Sequence, residues 1–471
     1  LACSNSTVEG LDIEHFAQDG ILLRSAAAGN TIGGSKARTG NVISGNGNDG
    51  VEVVNAGTAN NLIEGNFIGT NLGGNAALGN KFDGILIRTG AGSNTVGGTT
   101  SGAGNVISGN GGSGIEIVDN GTTDNLIEGN FIGTNAAGTT AIANKADGVL
   151  IRTGATGNTV GGTASGAGNV ISGNGNDGVE IVNIGTKNNV LQGNFIGTNL
   201  DGSAAVANKF DGVLIRTGAT DDTVGGTASG AGNVISGNGS TGVEIVGFGT
   251  TGNVLQGNFI GVQGDGASAL GNGTNGIAVK NFAADNVIGG TVKGAGNAIA
   301  FNGGDGVLVG STTNTVGSAA GPGNAVEGNS IYKNKRLGIF LGYDDISKPP
   351  VVLLNNSKGH PNVDNSHQNY PVLNAPQVTS NSTVLSGMIS SPNNPKTTIR
   401  IEFFASTSAD PIGYSQGQTF LGAVTVTTNA AGQAAFSLTL TTRLPAGTVI
   451  SATATDAAGY TSEFATNVLV P

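Results

Sequence analysis

Apolar residues in this chain come in short bursts on alternate positions, each burst opened by a glycine. The opening glycines are Gly20, Gly50, Gly84, Gly114, Gly148, Gly178, Gly212, Gly242, Gly276, Gly306 and Gly338, at spacings of 30 and 34 residues with a last step of 32. Alternation with period two is the mark of a strand with one face buried. The phrase GNVISGNG begins at Gly40, Gly104, Gly168 and Gly232, with a degraded copy, GNAIAFNG, at Gly296, so the repeat is 64 residues long and holds two bursts. A single unit is too short for a strand–helix–strand crossover, and its connections carry no helical period.

Each unit divides into three short strands between Gly/Asn turns. In the unit from Gly50 these are Val51 to Val54, Asn61 to Gly65 and Asn66 to Thr70. Three strands per unit, each above its counterpart one unit earlier, predict an all-β fold: a parallel β-helix of about eleven turns. At about 4.8 Å per turn this gives a rod on the order of 50 Å long. Pairs such as Gly45-Asn46, Gly65-Asn66 and Gly109-Asn110 suit corners that need a left-handed backbone, and Asn side chains stacked in register can bond one another. The inward ladder reads Val51/Val53, Ile85/Ile87, Ile115/Ile117, Val149/Ile151 and Val179/Ile181. Phe67, Phe131, Phe195 and Phe259 recur at 64 beside apolar neighbours and are expected to stack inside.

From Tyr370 the rhythm changes. Val384 to Ile389, Thr397 to Phe404, Phe420 to Thr427, Ala434 to Leu440 and Val449 to Thr455 read as the strands of a β-sandwich. The domain plan is a solenoid over 1–345, a linker over 346–369 and a sandwich over 370–471.

Composition narrows the function. Among 471 residues only 11% are charged, 85 are Gly and none is Trp, while 37% are hydrophobic at fixed places, which is not a disordered profile. A net charge of −11 argues against nucleic acid as a partner. Cys3 is the single cysteine, so neither an internal disulfide framework nor a Cys-rich metal site is expected. No apolar run is long enough for a transmembrane segment, and no basic-then-apolar leader is read at the start, so an export signal is expected to be already removed.

The phrases NVISGNG, NLIEGNFIGTN and NTVGG, with the terminal NSIYKNKRLGIFLG (Asn329 to Gly342), resemble the right-handed parallel β-helix repeats of large secreted or surface proteins of bacteria. Asn369-Tyr370-Pro371-Val372-Leu373 and ATATDAAGYTSEF (Ala452 to Phe464) are similar to the Ig-like module that often closes such chains. The resemblance implies a secreted or cell-surface location. It does not single out an activity, because lyases, hydrolases, adhesins and structural proteins share the architecture.

Catalysis on such a scaffold needs clustered acids and bases on outward strand positions. Those positions read Glu52, then Leu86 and Arg88, Glu116, Leu150 and Arg152, Glu180, Leu214 and Arg216, Glu244 and Lys280. Each Glu is two positions out of line with a basic residue on a neighbouring turn, a diagonal pairing distance. A pattern that repeats almost unchanged over four periods is expected to be a charge-compensated binding surface, not a catalytic centre. Asp49, Asp83, Asp147, Asp177 and Asp211, just before the strands, are expected to serve the turns. The repeat breaks near its end, where Tyr332, Lys333, Lys335, Arg336, Asp344 and Asp345 form the localised candidate. His15, His360 and His367 have no metal-ligand spacing, so no metal site is expected. No cofactor is expected; calcium at the turns is compatible with the fold, but no motif supports it.

The absence of Trp removes the usual platform for sugars. The composition therefore favours a structural building block of an extracellular filament, sheath or surface layer, self-associating head to tail through its ends. An adhesin or spacer displaying the sandwich, with a cell-surface glycan or protein as partner, is the alternative; a polysaccharide lyase or glycoside hydrolase is the third.

Overall fold

The structure, a computed structural model, describes residues 1–311, 320–343, 352, 354–356, 368–409, 413–414 and 416–471. The described residues contain no α-helix and divide into two compact units, Leu1–Glu244 with Gly257–Gly273 and Ile245–Gln256 with Thr274–Pro471. Three parallel sheets of eleven strands each make a β-solenoid of about ten turns. A representative turn has strands Val51–Val54, Leu62–Glu64 and Phe67–Ile68, shorter than the sequence suggests because the flanking Asn and Gly residues belong to the corners.

Inside the first unit the side chains stack in columns, each over its own kind. Ile32, Ile63, Val96, Ile127, Val160 and Leu191 form one column and Ile43, Ile68, Ile107, Ile132, Ile171 and Ile196 another. Val51, Ile85, Ile115, Val149 and Val179 run beside Val53, Ile87, Ile117, Ile151 and Ile181, all with no exposed surface. The aliphatic ladders are therefore as the alternation requires.

Asparagine fixes the register at all three corners. In one column Asn66, Asn105, Asn130 and Asn169 follow one another. The main-chain N–H and Nδ2 of Asn105 both donate to Asn130 Oδ1, at 3.1 and 2.9 Å, and those of Asn130 donate to Asn169 Oδ1 at 2.9 and 3.0 Å. Asn130 Nδ2 also donates to the carbonyl of Val96 one turn back at 2.9 Å. Each amide thus ties three turns together and leaves no buried polar group unpaired. The columns through Asn30, Asn61 and Asn94 and through Asn46, Asn80 and Asn110 repeat the pattern. Gly45 and Gly65, at φ of 66° and 68°, make the tight corners just before Asn46 and Asn66.

The phenylalanine row is not inside. On a strand of two residues, Ile68 takes the inward position and Phe67 must face out, where it is half-buried. A small hairpin closed by the Thr70–Ala77 bridge covers the ring, and a Cβ added at Gly74 would meet Phe67 at 3.0 Å. Gly138, Gly202 and Gly266 lie in the same way against Phe131, Phe195 and Phe259. Turns of 34 residues carry this hairpin; turns of 30 carry instead the loop exemplified by Gly98–Ala103.

In the second unit the strands Ile277–Lys280, Val307–Ser311 and Ile339–Tyr343 continue one solenoid sheet. Here the outer face is covered too, since Ala278, Leu308, Leu337 and Phe340 pack together with Val352 against them. The C-terminal residues form two antiparallel sheets. Thr383–Ser390 pairs with Val372–Leu373, Gln377–Val378 and Gln433–Leu440, while Thr398–Ser406 lies between Thr419–Thr427 and Val449–Asp456. Leu385, Ile389 and Phe436 meet Ile399, Ile401, Phe403 and Ile450 in the core between them, with Phe403 and Phe436 edge to face at 5.7 Å.

This sandwich closes the edge of the last turn. Val326 N–H donates to Thr461 Oγ1 at 2.9 Å, Gly328 N–H to Glu402 Oε2 at 2.8 Å, Ile331 N–H to the Gly417 carbonyl at 2.8 Å and Leu341 N–H to Glu463 Oε1 at 3.0 Å. Gln416 extends the third asparagine column: its Oε1 accepts from Asn334 N and Nδ2 at 2.9 and 3.1 Å, as Asn334 Oδ1 accepts from Asn302 at 3.1 and 2.9 Å. All three solenoid sheets end on an acceptor supplied by the sandwich.

One corner departs from its repeat. Gly90, Gly154 and Gly218 hold φ near 85°, and their counterpart is Phe282 at φ 70°, with its ring exposed. A side chain in the left-handed region costs about 1–2 kcal/mol.

Two outcomes are expected from chemical unfolding. Asn130→Ala should destabilise the turns around it by about 3 kcal/mol or more, since several buried groups at 1–3 kcal/mol each lose their partner; loss below 1 kcal/mol would mean that the column is dispensable. Phe282→Gly should stabilise by about 1 kcal/mol through relief of the left-handed φ.

Candidate functional site

The outward ladder forms the diagonal pairs that its spacing requires. Glu52 faces Leu86 and Val54 faces Arg88 across the sheet, and Arg88 Nε reaches back to Glu52 Oε1 at 2.5 Å. Arg152 meets Glu116 at 2.7 Å, and Arg216 binds Glu180 in the same manner. The carboxylates are not exposed, however. Glu52, Glu116 and Glu180 retain 5–8% of their surface, because the arginine arms, themselves about half-exposed, lie over them. Leu86, Leu150 and Leu214 are half-buried beside these pairs. Glu244 occupies the next acidic position of the first unit, and Lys280, buried, the corresponding basic position of the second.

The turn aspartates do more than start strands. Asp49 Oδ1 accepts from Asp83 N–H at 2.9 Å and Asp83 Oδ1 from Ser113 N–H at 2.7 Å. Asp147 accepts from Asp177 N–H at 3.0 Å, Asp177 from Asp211 N–H and Asp211 from Thr241 N–H, both at 2.8 Å. They form a column like those of asparagine, but of carboxyl groups packed beside the glutamates. Oxygens of Asp147, Asp177 and Glu180 lie within 4.8 Å of one another, all three residues buried. Sequence reasoning had no metal candidate here. The legible signal was the stacking of Asp147 on Asp177 through a 30-residue step, with Glu180 three positions on.

Burial dominates the electrostatics of this column. It pushes the carboxyl of Asp49 up to about 6, with Asp19, Glu52 and Glu116 adding repulsion and the Asp83 N–H opposing. It takes Asp83 to about 8, where Glu116 and Asp49 add repulsion and the Ser113 N–H opposes. Asp147 rises to about 6, raised further by Glu180 and opposed by the Asp177 N–H, Asn176 and Arg216. Asp177 rises to about 7 beside Asp211, Asp147 and Glu180, opposed by the Asp211 N–H. Burial thus moves all four carboxyls toward neutrality, and Asp83 and Asp177 far enough to share a proton there. One oxygen of each is committed to a main-chain N–H, which makes the column a structural element. Asp222 is a related case. It occupies an asparagine position, accepts from Asn189 N and Nδ2 at 2.8 and 3.0 Å, and is raised by burial to about 7.

Of the localised candidate near the last turn, Tyr332, Lys333, Lys335 and Arg336 are among the described residues. Tyr332 stands edge to face on Phe301 at 5.6 Å, and Lys333 Nζ lies 5.4 Å from the same ring. Lys335 is exposed, whereas Arg336 turns toward Asp305, with Nε to Oδ2 at 3.8 Å, and its guanidinium lies over Phe340 at 5.8 Å. Asp344 and Asp345 lie outside the described residues, as do His360 and His367. A groove of about 350 Å³ runs over the outer face between Thr99, Ser101, Phe131, Val170 and Leu200. Its lining holds no titratable side chain, so it offers shape but no acid–base chemistry.

No family model and no curated protein matches this chain. Among solved structures it is similar to the BSP domain of a biofilm-associated protein, with 25% identity over 23% of this chain and 15% of that one at a TM-score of 0.16. It is similar to the sensor domain of the anti-sigma factor RsgI4 of Pseudobacteroides cellulosolvens, 15% identical over 21% of this chain and 94% of that one at 0.15. The enzymatically active domain of bacteriophage CBA120 tailspike protein 4 matches 96% of this chain with 63% of its own length, at 11% identity and a TM-score of 0.22. The chain thus spans less than two thirds of the biofilm-associated and tailspike chains. No helix among the described residues is long and apolar enough to cross a membrane.

The raised carboxyls set the pH response. A carboxyl whose pKa is higher in the folded than in the unfolded chain contributes stability that is full below about pH 4 and is lost as pH rises through its folded value. Resistance to urea should therefore fall between pH 5 and pH 9, and Asp177→Asn with Asp222→Asn should flatten that fall; an equal slope in variant and parent would refute the assignment.

Proposed function

We propose that this chain is a non-catalytic structural element of an extracellular surface: a solenoid spacer that carries the C-terminal sandwich. The observation that carries this reading is the closed last turn, whose three sheet edges end on Thr461, Glu402, Gly417, Gln416 and Glu463 of the same chain. A filament that grew by stacking turns would need that edge open. The uniform outer face supports the same conclusion, since its Glu–Arg pairs compensate one another turn after turn and its aspartates are spent on main-chain N–H groups. A secreted or surface location, bacterial origin and a glycan or protein partner for the sandwich belong to this proposal. The catalytic alternative gains nothing from a groove without acids or bases.

Purified protein imaged at high concentration should show separate molecules, and incubation with acidic and neutral polysaccharides should yield neither unsaturated products nor new reducing ends. Turnover that disappears in Asp177→Asn or Lys335→Ala would replace the spacer with an enzyme, and fibres of the unmodified chain would replace it with a filament subunit.

A further inference from the structure

Asparagine followed by glycine is among the least durable dipeptides in a protein chain, because glycine has no Cβ to keep its nitrogen away from the asparagine side chain. Six such pairs lie in the first unit, at Asn46, Asn110, Asn120, Asn174, Asn238 and Asn272. All but Asn120 belong to one corner column, and those in the column are buried. Asn120 stands apart, exposed on the corner that follows the strand Ile115–Val118.

Within the column both partners of the hydrolytic reaction are held. Asn110 Oδ1 accepts from Asn80 N and Nδ2 at 3.3 and 2.9 Å, and Asn110 Nδ2 donates to Asn144 Oδ1 at 3.0 Å. The nitrogen that would attack is held as well, since Gly111 N–H donates to the Asn80 carbonyl at 2.9 Å. Gly47, Gly175, Gly239 and Gly273 donate in the same way, to the carbonyls of Phe16, Asn144, Asn208 and Asn238 at 2.7, 2.8, 2.9 and 2.9 Å. An amide nitrogen attacks only after losing its proton, and a buried N–H bonded to a carbonyl is kept from any base until the chain opens. At the exposed corner, neither the Asn120 amide nor Gly121 N–H has a hydrogen-bond partner among the described residues. Gly121 holds φ 83°, and a Cβ added there would meet only the Cα of Gly90, at 3.6 Å. Equivalent positions 64 residues before and after hold Ala56 and Ile184, so the repeat does not require asparagine here.

We propose that Asn120 is a site of spontaneous hydrolytic modification, and that the asparagine column protects the other Asn-Gly pairs of the first unit from the same reaction. The Gly121 nitrogen, having given its proton to water, forms a bond to Cγ of Asn120, and ammonia leaves. The five-membered imide that results takes up water at either carbonyl, giving aspartate or its β-linked isomer and one new negative charge. That charge falls beside Asp119, whose Oδ2 accepts from Thr89 Oγ1 at 3.2 Å. The modification therefore accumulates on the outer surface as the molecule ages, while the amides that set the register stay intact. The column has a chemical duty besides its structural one, and this holds whatever the chain supports or binds.

Peptide mapping by mass spectrometry tests it, on the full chain kept in mildly alkaline buffer with and without urea. In the folded chain Asn120 should convert at least about tenfold faster than Asn110, Asn174 or Asn238, whose amides react only when the column opens. In urea all four should convert at rates within about threefold of one another, since only the fold distinguishes them. Ile184→Asn places the same dipeptide at the equivalent exposed corner, before Gly185 at φ 91°. With β-structure retained by circular dichroism, position 184 should then convert as Asn120 does. Conversion of Asn110 in step with Asn120 in the folded chain would overturn the protection. A folded chain whose Asn120 stays intact for as long as the chain in urea takes to convert would overturn the site, and a folded Ile184→Asn variant unchanged at position 184 would overturn the lability of this corner.

Discussion

The side-chain amide of asparagine is the interaction on which the rest of this structure depends. Three short strands per turn bring few main-chain bonds of their own, and every corner exposes polar groups to a dry interior. An amide is both donor and acceptor on a short stem, so one residue type answers both needs at every corner. Asn130 serves Asn105, Asn169 and Val96 at once. Once those columns are in place, the register of all three sheets is fixed, and the aliphatic columns follow because each Ile or Val must lie over its counterpart.

That regularity explains why so much was legible in the sequence. The strand starts, the inward Val and Ile ladders, the Gly-Asn corners and the Glu–Arg diagonals follow from period and spacing alone, and so do the five longer sandwich strands. Phe67 lies outside although its neighbour is apolar, because a two-residue strand must point the two side chains in opposite directions. The burial of Glu52 was hidden for another reason. It depends on how far an arginine arm folds back, which is not a periodic property, whereas the aspartate column follows the 30- and 34-residue steps.

The same period decides where chemistry can reside. A function that requires one unusual site has to break the repeat, and three breaks among the described residues illustrate what they do here. Asp222 replaces an amide with an acid, Phe282, like Phe301, replaces a glycine, and the turn near Arg336 gives way to the sandwich. The first two are local substitutions on a continuing column. The third is spent on closing an edge, where Gln416 imitates the residue that the next turn would have supplied.

The hairpins over the phenylalanines carry a last implication. They occur in alternate turns and touch across the turn between them, with the Ala136 N–H donating to the Gly74 carbonyl at 2.9 Å. The loops of the other turns do likewise, since a Cβ added at Gly166 would meet the Thr99 carbonyl of the loop two turns before at 2.7 Å. Odd and even turns therefore belong to two interleaved outer layers, and Glu-bearing turns alternate with Arg-bearing ones beneath them. A solenoid of this kind has parity. It can be lengthened or shortened by gene duplication or deletion only in whole pairs of turns, because a single added turn would set two hairpins on adjacent levels and two glutamates side by side.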